Sequence, residues 1–172
     1  MRFEHLAWSG IAVLVGLGGL ALSGVVWNGT SSVPRGLWVE RAVTAPLRRG
    51  DVVAACVHAS SAVRHYIAPG ACQDTGLEAV LKPVVAVEGD TVEVTEAGVI
   101  VNGALLKHSA RLREDGEKRS LDQLFPTTDG AVVVPSGVVW LVAPMDLSFD
   151  SRYFGPVSTS SVIGVVDPLL TE

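Results

Sequence analysis

Between His5 and Asn28 the chain runs for 22 residues, Leu6 to Trp27, without a formal charge, mostly as Ala, Val, Leu, Ile and Gly. At about 1.5 Å per residue a helix over that run is roughly 33 Å long, enough to cross the hydrocarbon core of a bilayer with slight tilt. Residues 6–27 are therefore read as a membrane anchor, with Trp8 and Trp27 near opposite interfaces. The rival reading is a cleaved leader, since Ala21-Leu-Ser23 before Gly24 weakly resembles a small-residue cleavage site. The continuation of the apolar run through Val25, Val26 and Trp27 favours the anchor. Beyond it, residues 28–172 form one domain of roughly 140 residues, enough to bury a core and too few for two compact units.

The formal net charge is −5 and the pI about 5.3, so no basic field exists to hold a phosphate backbone, and nucleic acid is excluded as a partner. Orientation is contested by two signals. Arg35, Arg41, Arg48 and Arg49 follow the apolar run while only Arg2 precedes it, which taken naively leaves the domain in the cytoplasm. That rule is weak for a large translocated domain, and Cys56 and Cys72 point the other way. They flank a loop containing Pro69-Gly70, so a disulfide between them is sterically reasonable and would suit an oxidising compartment. Two unpaired buried thiols are the alternative. The scattered His5, His58, His65 and His108 show no metal-ligand spacing, so no metal site is expected.

After the anchor, short strands alternate with turns. Gly36–Glu40, Asp51–Val57, Val80–Val87, Thr91–Thr95, Val99–Val101, Ala131–Val134, Val138–Ala143 and Val162–Val166 read as strands. Pro83 argues for an edge or a bulge in its strand. Residues 59–73 are the least regular and have room for a short helix, and the charged stretch 107–128 reads as a solvated, mobile loop. With no sustained helical period outside the anchor, the expected architecture is a mainly β domain hung from one N-terminal transmembrane helix.

Three stretches carry chemistry. The first is Asn28-Gly-Thr-Ser-Ser-Val-Pro-Arg-Gly-Leu-Trp38, in which Ser32 is the candidate nucleophile; a serine needs a base and an oxyanion donor to act at neutral pH. The second is Leu81-Lys-Pro-Val-Val-Ala-Val-Glu-Gly-Asp90, where apolar neighbours would desolvate Lys82, lower its pKa and leave a neutral amine able to take the serine proton. The third is Asp146-Leu-Ser-Phe-Asp-Ser-Arg-Tyr-Phe-Gly-Pro-Val157, in which Asp150 and Arg152 form a charge-assisted pair and Ser148 offers a hydroxyl. A Ser-His-Asp triad using His58, His65 or His108 is the rival catalytic reading, but no histidine lies in these stretches.

In this order and behind an N-terminal anchor, the three stretches resemble the type I signal peptidase superfamily of serine–lysine peptidases over nearly the whole chain. The second stretch is similar to that superfamily's lysine box and Ser148–Val157 closely resembles its C-terminal box. The opening pattern Asn-x-Thr-x-Ser-x-Pro-x-Gly-x-aromatic resembles the TraF-type branch of conjugative transfer systems, as do the paired cysteines and the small size; Trp38 stands where Tyr is commoner. The resemblance also separates two serines. Spacing to Pro34 in general leader peptidases would select Ser31, whereas the branch pattern selects Ser32. The superfamily's oxyanion hydroxyl, two residues before the nucleophile, then falls on Thr30 rather than on Gly29.

The resemblance implies acyl transfer without a cofactor. Lys82 acts as general base for Ser32, the Ser32 N–H and the Thr30 hydroxyl hold the oxyanion, Ser148 orients the amine, and Asp150 with Arg152 holds the loop. It further implies a single-pass protein of the inner (cytoplasmic) membrane with its catalytic domain in the periplasm. The expected substrate is a membrane-tethered precursor, first the pilin subunit of a conjugation system, cleaved or cyclised, with conjugation or type IV secretion components as partners. A general signal peptidase acting on leader-bearing preproteins and a catalytically inactive scaffold of a secretion complex are the competing expectations.

Overall fold

The computed structural model describes residues 24–58, 60, 63–121 and 128–172. The expected anchor thus lies outside the described residues except for its last four positions, and no helix among the described residues is long and apolar enough to cross a membrane. Val25, Val26 and Trp27, read as the end of the anchor, instead belong to strand β1 (Val25–Asn28). The correction has a plain physical cause. Val25 and Val26 are β-branched, and β2 (Gly36–Arg41) supplies a full antiparallel register from Val25↔Val39 to Asn28↔Gly36.

The remaining strands are β3 (Val52–Ala55), β4 (Val80–Ala86), β5 (Thr91–Thr95), β6 (Gly98–Val101), β7 (Ala104–Leu105), β8 (Val132–Val133), β9 (Val138–Leu141), β10 (Val157–Ser158) and β11 (Val162–Thr171). Two helical turns, α1 (Val63–Tyr66) and α2 (Ser151–Phe154), interrupt them, so the domain is mainly β as expected. Seven strands form one sheet in the order β1-β2-β11-β3-β4-β9-β10, and four form a second in the order β7-β6-β5-β8. Alternation along the strands fills the space between and beside the sheets. Val53, Ala55, Val84 and Leu141 centre one core, Ala86, Val92, Val99 and Trp140 a second, and Val33, Trp38, Ala54 and Val166 a smaller third.

Two strands differ from the sequence reading at a proline. Pro83 lies in β4, which is an interior strand between β3 and β9 rather than an edge. The expected irregularity is present, because the register with β9 shifts between Val84 and Ala86. The Pro83 carbonyl accepts from the Val142 N–H at 3.2 Å, so the missing N–H falls on that same irregular side and leaves the β3 ladder whole. The last strand, expected over Val162–Val166, runs on through Pro168 to Thr171, and the register with β2 shifts between Pro168 and Leu170. Where β11 meets the start of β2, Gly36 adopts φ +137, and a Cβ there would stand 2.1 Å from the Leu170 carbonyl oxygen, so only glycine fits.

Val57, Val63 and Ile67 join the first core, with α1 capped by the Ser60 hydroxyl and a disulfide between Cys56 and Cys72 closing the segment. The 107–121 part of the charged stretch is not a free loop, as the sequence had suggested. Ser109 and Leu121 are buried, Glu114 bridges Ser120, and Leu112 N–H donates to the Tyr153 hydroxyl at 2.9 Å. Its charges pair locally around Asp115 and Arg119, which lets its apolar residues turn inward.

Candidate active site

The polar turn after β1 is built by one side chain. Asn28 is 4% exposed and its Nδ2 donates towards the carbonyls of Thr30 (3.0 Å), Val33 (3.1 Å) and Pro34 (3.1 Å). Its Oδ1 accepts both the N–H (3.0 Å) and the hydroxyl (2.8 Å) of Thr30. Trp38 Nε1 donates to the Pro34 carbonyl as well, at 3.0 Å. The turn so held presents its two serines to opposite sides. Ser31 is exposed and accepts from Arg35 Nη2, while Ser32 is buried and faces β4.

Lys82 occupies the inward phase of β4, with Val84 and Ala86 on the same side. Its Nζ hydrogen-bonds the Ser32 hydroxyl and donates to the Ser148 hydroxyl at 3.0 Å, and the two serine oxygens stand 3.5 Å apart. Burial penalises the ammonium and lowers the Lys82 pKa from 10.5 to about 8; the Asp150 charge opposes this and the Arg152 charge reinforces it. The Ser32 hydroxyl meets Lys82 and Ser148, whereas His65 packs edge-on against Tyr66.

Asp150 and Arg152, both with no exposed surface, support this triangle from beneath. Arg152 donates to both Asp150 oxygens at 2.8 Å from Nε and from Nη2, the fork geometry that only a guanidinium provides. Its remaining donors reach the carbonyls of Met145 (2.7 Å), Ser148 (3.1 Å) and Ala110 (2.9 Å). One cation thereby ties the Ser148 loop to the 107–121 segment. Asp150 also accepts from Ala143 N–H at 3.0 Å and caps α2.

A cleft of about 500 Å³ opens beside Lys82, between Thr30, Trp27, Val80, Leu81, Tyr66 and Phe149. A larger cavity of about 720 Å³ lies against Pro83, Val85 and Pro144 and includes neither Ser32 nor Lys82. Tyr66 stacks on Phe149 with centroids 4.6 Å apart and donates to Asp115 at 2.7 Å, so the disulfide-closed loop, the Ser148 loop and the 107–121 segment share one wall. Thr30 sits on the exposed lip of the cleft with its hydroxyl directed to Asn28 and not to Ser32.

The structure thus brings together Ser32, Lys82, Ser148, Asp150 and Arg152, whose positions in sequence span 120 residues. Sequence reading gave no role to Asn28 or Tyr66. Asn28 heads the opening pattern and was visible there; Tyr66 stands in an irregular stretch and carried no signal.

Comparison with known proteins bears on what this arrangement does. Residues 9–170 match the family model described as signal peptidase, peptidase S26. A plasmid transfer protein TraF of Escherichia coli is 38% identical over 174 residues, covering 98% of this chain and 95% of that one. A conjugal transfer protein TraF of Agrobacterium fabrum is 30% identical, with 91% and 93% covered. A crystal structure of a signal peptidase I from Enterococcus faecalis superposes with a TM-score of 0.40 at 26% identity, over 70% of this chain and 97% of that one.

Proposed function

Because the chain belongs to the signal peptidase family, peptidase S26, and to its TraF-type branch, we propose that it is a membrane-anchored serine peptidase using Ser32 and Lys82 to mature the pilin subunit of a conjugation system. The observation that carries this reading is the buried Lys82 amine held between the hydroxyls of Ser32 and Ser148. With its pKa lowered to about 8, Lys82 has a neutral fraction of about a tenth at pH 7 that grows through pH 8, far more than an ordinary lysine, and that neutral amine can take the serine proton.

In the first step the Ser32 Oγ–carbonyl bond forms while the hydroxyl proton passes to Lys82 Nζ. The Ser32 N–H, joined by the Thr30 hydroxyl, receives the negative charge on the carbonyl oxygen. Collapse of the intermediate breaks the amide C–N bond, and Lys82 returns the proton to the departing amine. Water, or an amine of the same polypeptide, then attacks the ester and restores Ser32; the first gives cleavage and the second cyclisation. Ser148 holds the lysine amine in line, and Asp150 with Arg152 holds Ser148. The cleft beside Lys82 has room for the residues preceding the cut.

The uncharged run before β1 and the short distance from it to Ser32 support action at the membrane surface, and the Cys56–Cys72 disulfide supports a periplasmic domain. The names of the relatives support a role in plasmid transfer. The test is mass spectrometry of a conjugative pilin precursor after incubation with the wild type and with Ser32→Ala. A shortened or circular product from the wild type alone is expected. Full processing by Lys82→Ala would refute the mechanism, and cleavage of ordinary secretory precursors with the pilin precursor left intact would replace this reading with that of a general leader peptidase.

A further inference from the structure

Seven residues, Gly29 to Arg35, separate the edge strand β1 from β2; they carry Ser32 at their centre, and Asn28 is the last residue of β1 before them. A turn of this length without a regular ladder holds a side chain in place only if something fixes its carbonyls and amides. Three of its carbonyls converge on the two protons of Asn28 Nδ2, and both lone-pair positions of Asn28 Oδ1 are taken by Thr30. The amide group is therefore saturated, is almost completely buried, and holds the turn on both sides of Ser32, its hydrogen bonds going to the turn while those of Lys82 go to Ser32 and Ser148. No other residue type reproduces this set. Aspartate lacks the donors, and glutamine carries the same group one methylene further out.

We infer that Asn28 is a positioning residue of this site, whose side-chain carbonyl fixes Thr30 and whose side-chain amide fixes the far limb of the turn, so that Ser32 meets the acyl carbon in register with its oxyanion donors. The inference rests on the serine-peptidase reading above and deepens it. It also gives the Thr30 hydroxyl a defined resting state. Its single proton is directed to Asn28 Oδ1, and Oδ1 keeps the Thr30 N–H when the hydroxyl rotates towards a developing oxyanion. Thr30 and Asn28 therefore act as a unit, and their contributions to the rate are coupled.

The experiment uses acylation of the full-length protein by p-nitrophenyl acetate. The acetyl–oxygen bond to nitrophenolate breaks as the Ser32 ester forms, and the serine proton leaves by way of Lys82. Nitrophenol release is followed at its isosbestic wavelength, and intact-mass spectrometry locates the acetyl group. Asn28→Ala is expected to lower the limiting acylation rate by about a hundredfold with KM moved by less than about twofold, as for a misplaced nucleophile rather than a lost binding contact. Thr30→Val is expected to lose about tenfold, Thr30→Ser to restore most of it, and the Asn28→Ala/Thr30→Val pair to lose no more than Asn28→Ala alone. The pH midpoint should stay near 8 in all of them, because none touches Lys82.

Undiminished acylation in Asn28→Ala, losses that multiply in the double variant, or a midpoint that rises towards 10.5 would overturn the inference. The last would mean that Asn28 merely keeps the pocket closed around the lysine. Should Asn28→Ala fail to fold, the exposed Thr30 carries the test alone: a Thr30→Val protein as fast as wild type refutes the coupling. Failure of the underlying reading looks different, since a wild type acylated no faster than Ser32→Ala would remove the nucleophile itself, and this inference with it.

Discussion

Replacing Lys82 by methionine should stabilise the fold in a way that fades as pH rises. Burial takes the lysine pKa from 10.5 to about 8 in the folded chain. Below about 8 both folded and unfolded chains hold the proton and the full penalty of burying it is present; above 10.5 neither does and the penalty vanishes. Between these limits the unfolded chain binds more protons, so stability rises with pH. At about 1.4 kcal/mol per tenfold in acidity, the buried ammonium costs about 3 kcal/mol at neutral pH. Methionine has a similar length and no charge, and it also forfeits the contacts to the Ser32 and Ser148 hydroxyls, each worth about 1 kcal/mol. Those contacts offset part of the gain but depend little on pH, so the diagnostic quantity is the change in the difference between the two proteins. Urea unfolding of both, disulfide intact, should show the advantage of Lys82→Met shrinking by about 3 kcal/mol from neutral pH to about pH 10.5. The tyrosines and exposed lysines titrate in both proteins and cancel. A difference that stays constant across the window would refute the claim that this site penalises the charged lysine.

Ser148→Ala removes the acceptor 3.0 Å from Lys82 Nζ and should lower kcat by about tenfold at unchanged KM, checked by steady-state cleavage of the pilin precursor. Converting Cys56 and Cys72 to serine opens a loop with a sequence separation of 16 and should lower the unfolding free energy by about 3 kcal/mol in urea titrations. Arg152→Gln strips Asp150 of its partner and should lower stability by about 3–5 kcal/mol by the same assay. In that variant the midpoint of the pH–activity profile should also rise from about 8 towards 10.5, while Arg152→Lys keeps it lower.

The parts of the site that were legible in the sequence are those where a residue's chemistry is at odds with its neighbours. Lys82 stands among Val80, Leu81, Val84 and Val85, and a charge in that company is either at a surface or at work. Asp150 and Arg152, two apart, form their own pair and could be read as one. What held the pieces together was not legible. Nothing local tells that Ala110, from a stretch that reads as solvated, accepts a bond from Arg152, or that Tyr66 lines the cleft. Those contacts come from the closing of β4 against β9 and from the disulfide, both long-range pairings. The strand boundaries failed for a related reason. Val25–Trp27 were read into the anchor and the last strand was ended at Val166 because local hydropathy was weighed without knowing which strands would lie beside them.

The Asp150–Arg152 pair explains more than the shape of a loop. An amine whose pKa is to be held near 8 must be denied a counter-ion, yet a fully buried carboxylate lies close enough to raise that pKa. Arg152 resolves this by occupying both carboxylate oxygens, and the pair as a whole presents little net charge to Lys82. The guanidinium also adds a repulsive contribution of its own, smaller than those of burial and Asp150. Burial then decides the balance, and it does so because the pocket is closed by the same Arg152 through the carbonyls of Met145 and Ser148. One side chain therefore offsets much of the competing anion and holds the loop that carries Ser148, which is why a buried ion pair, costly in itself, belongs beneath this site.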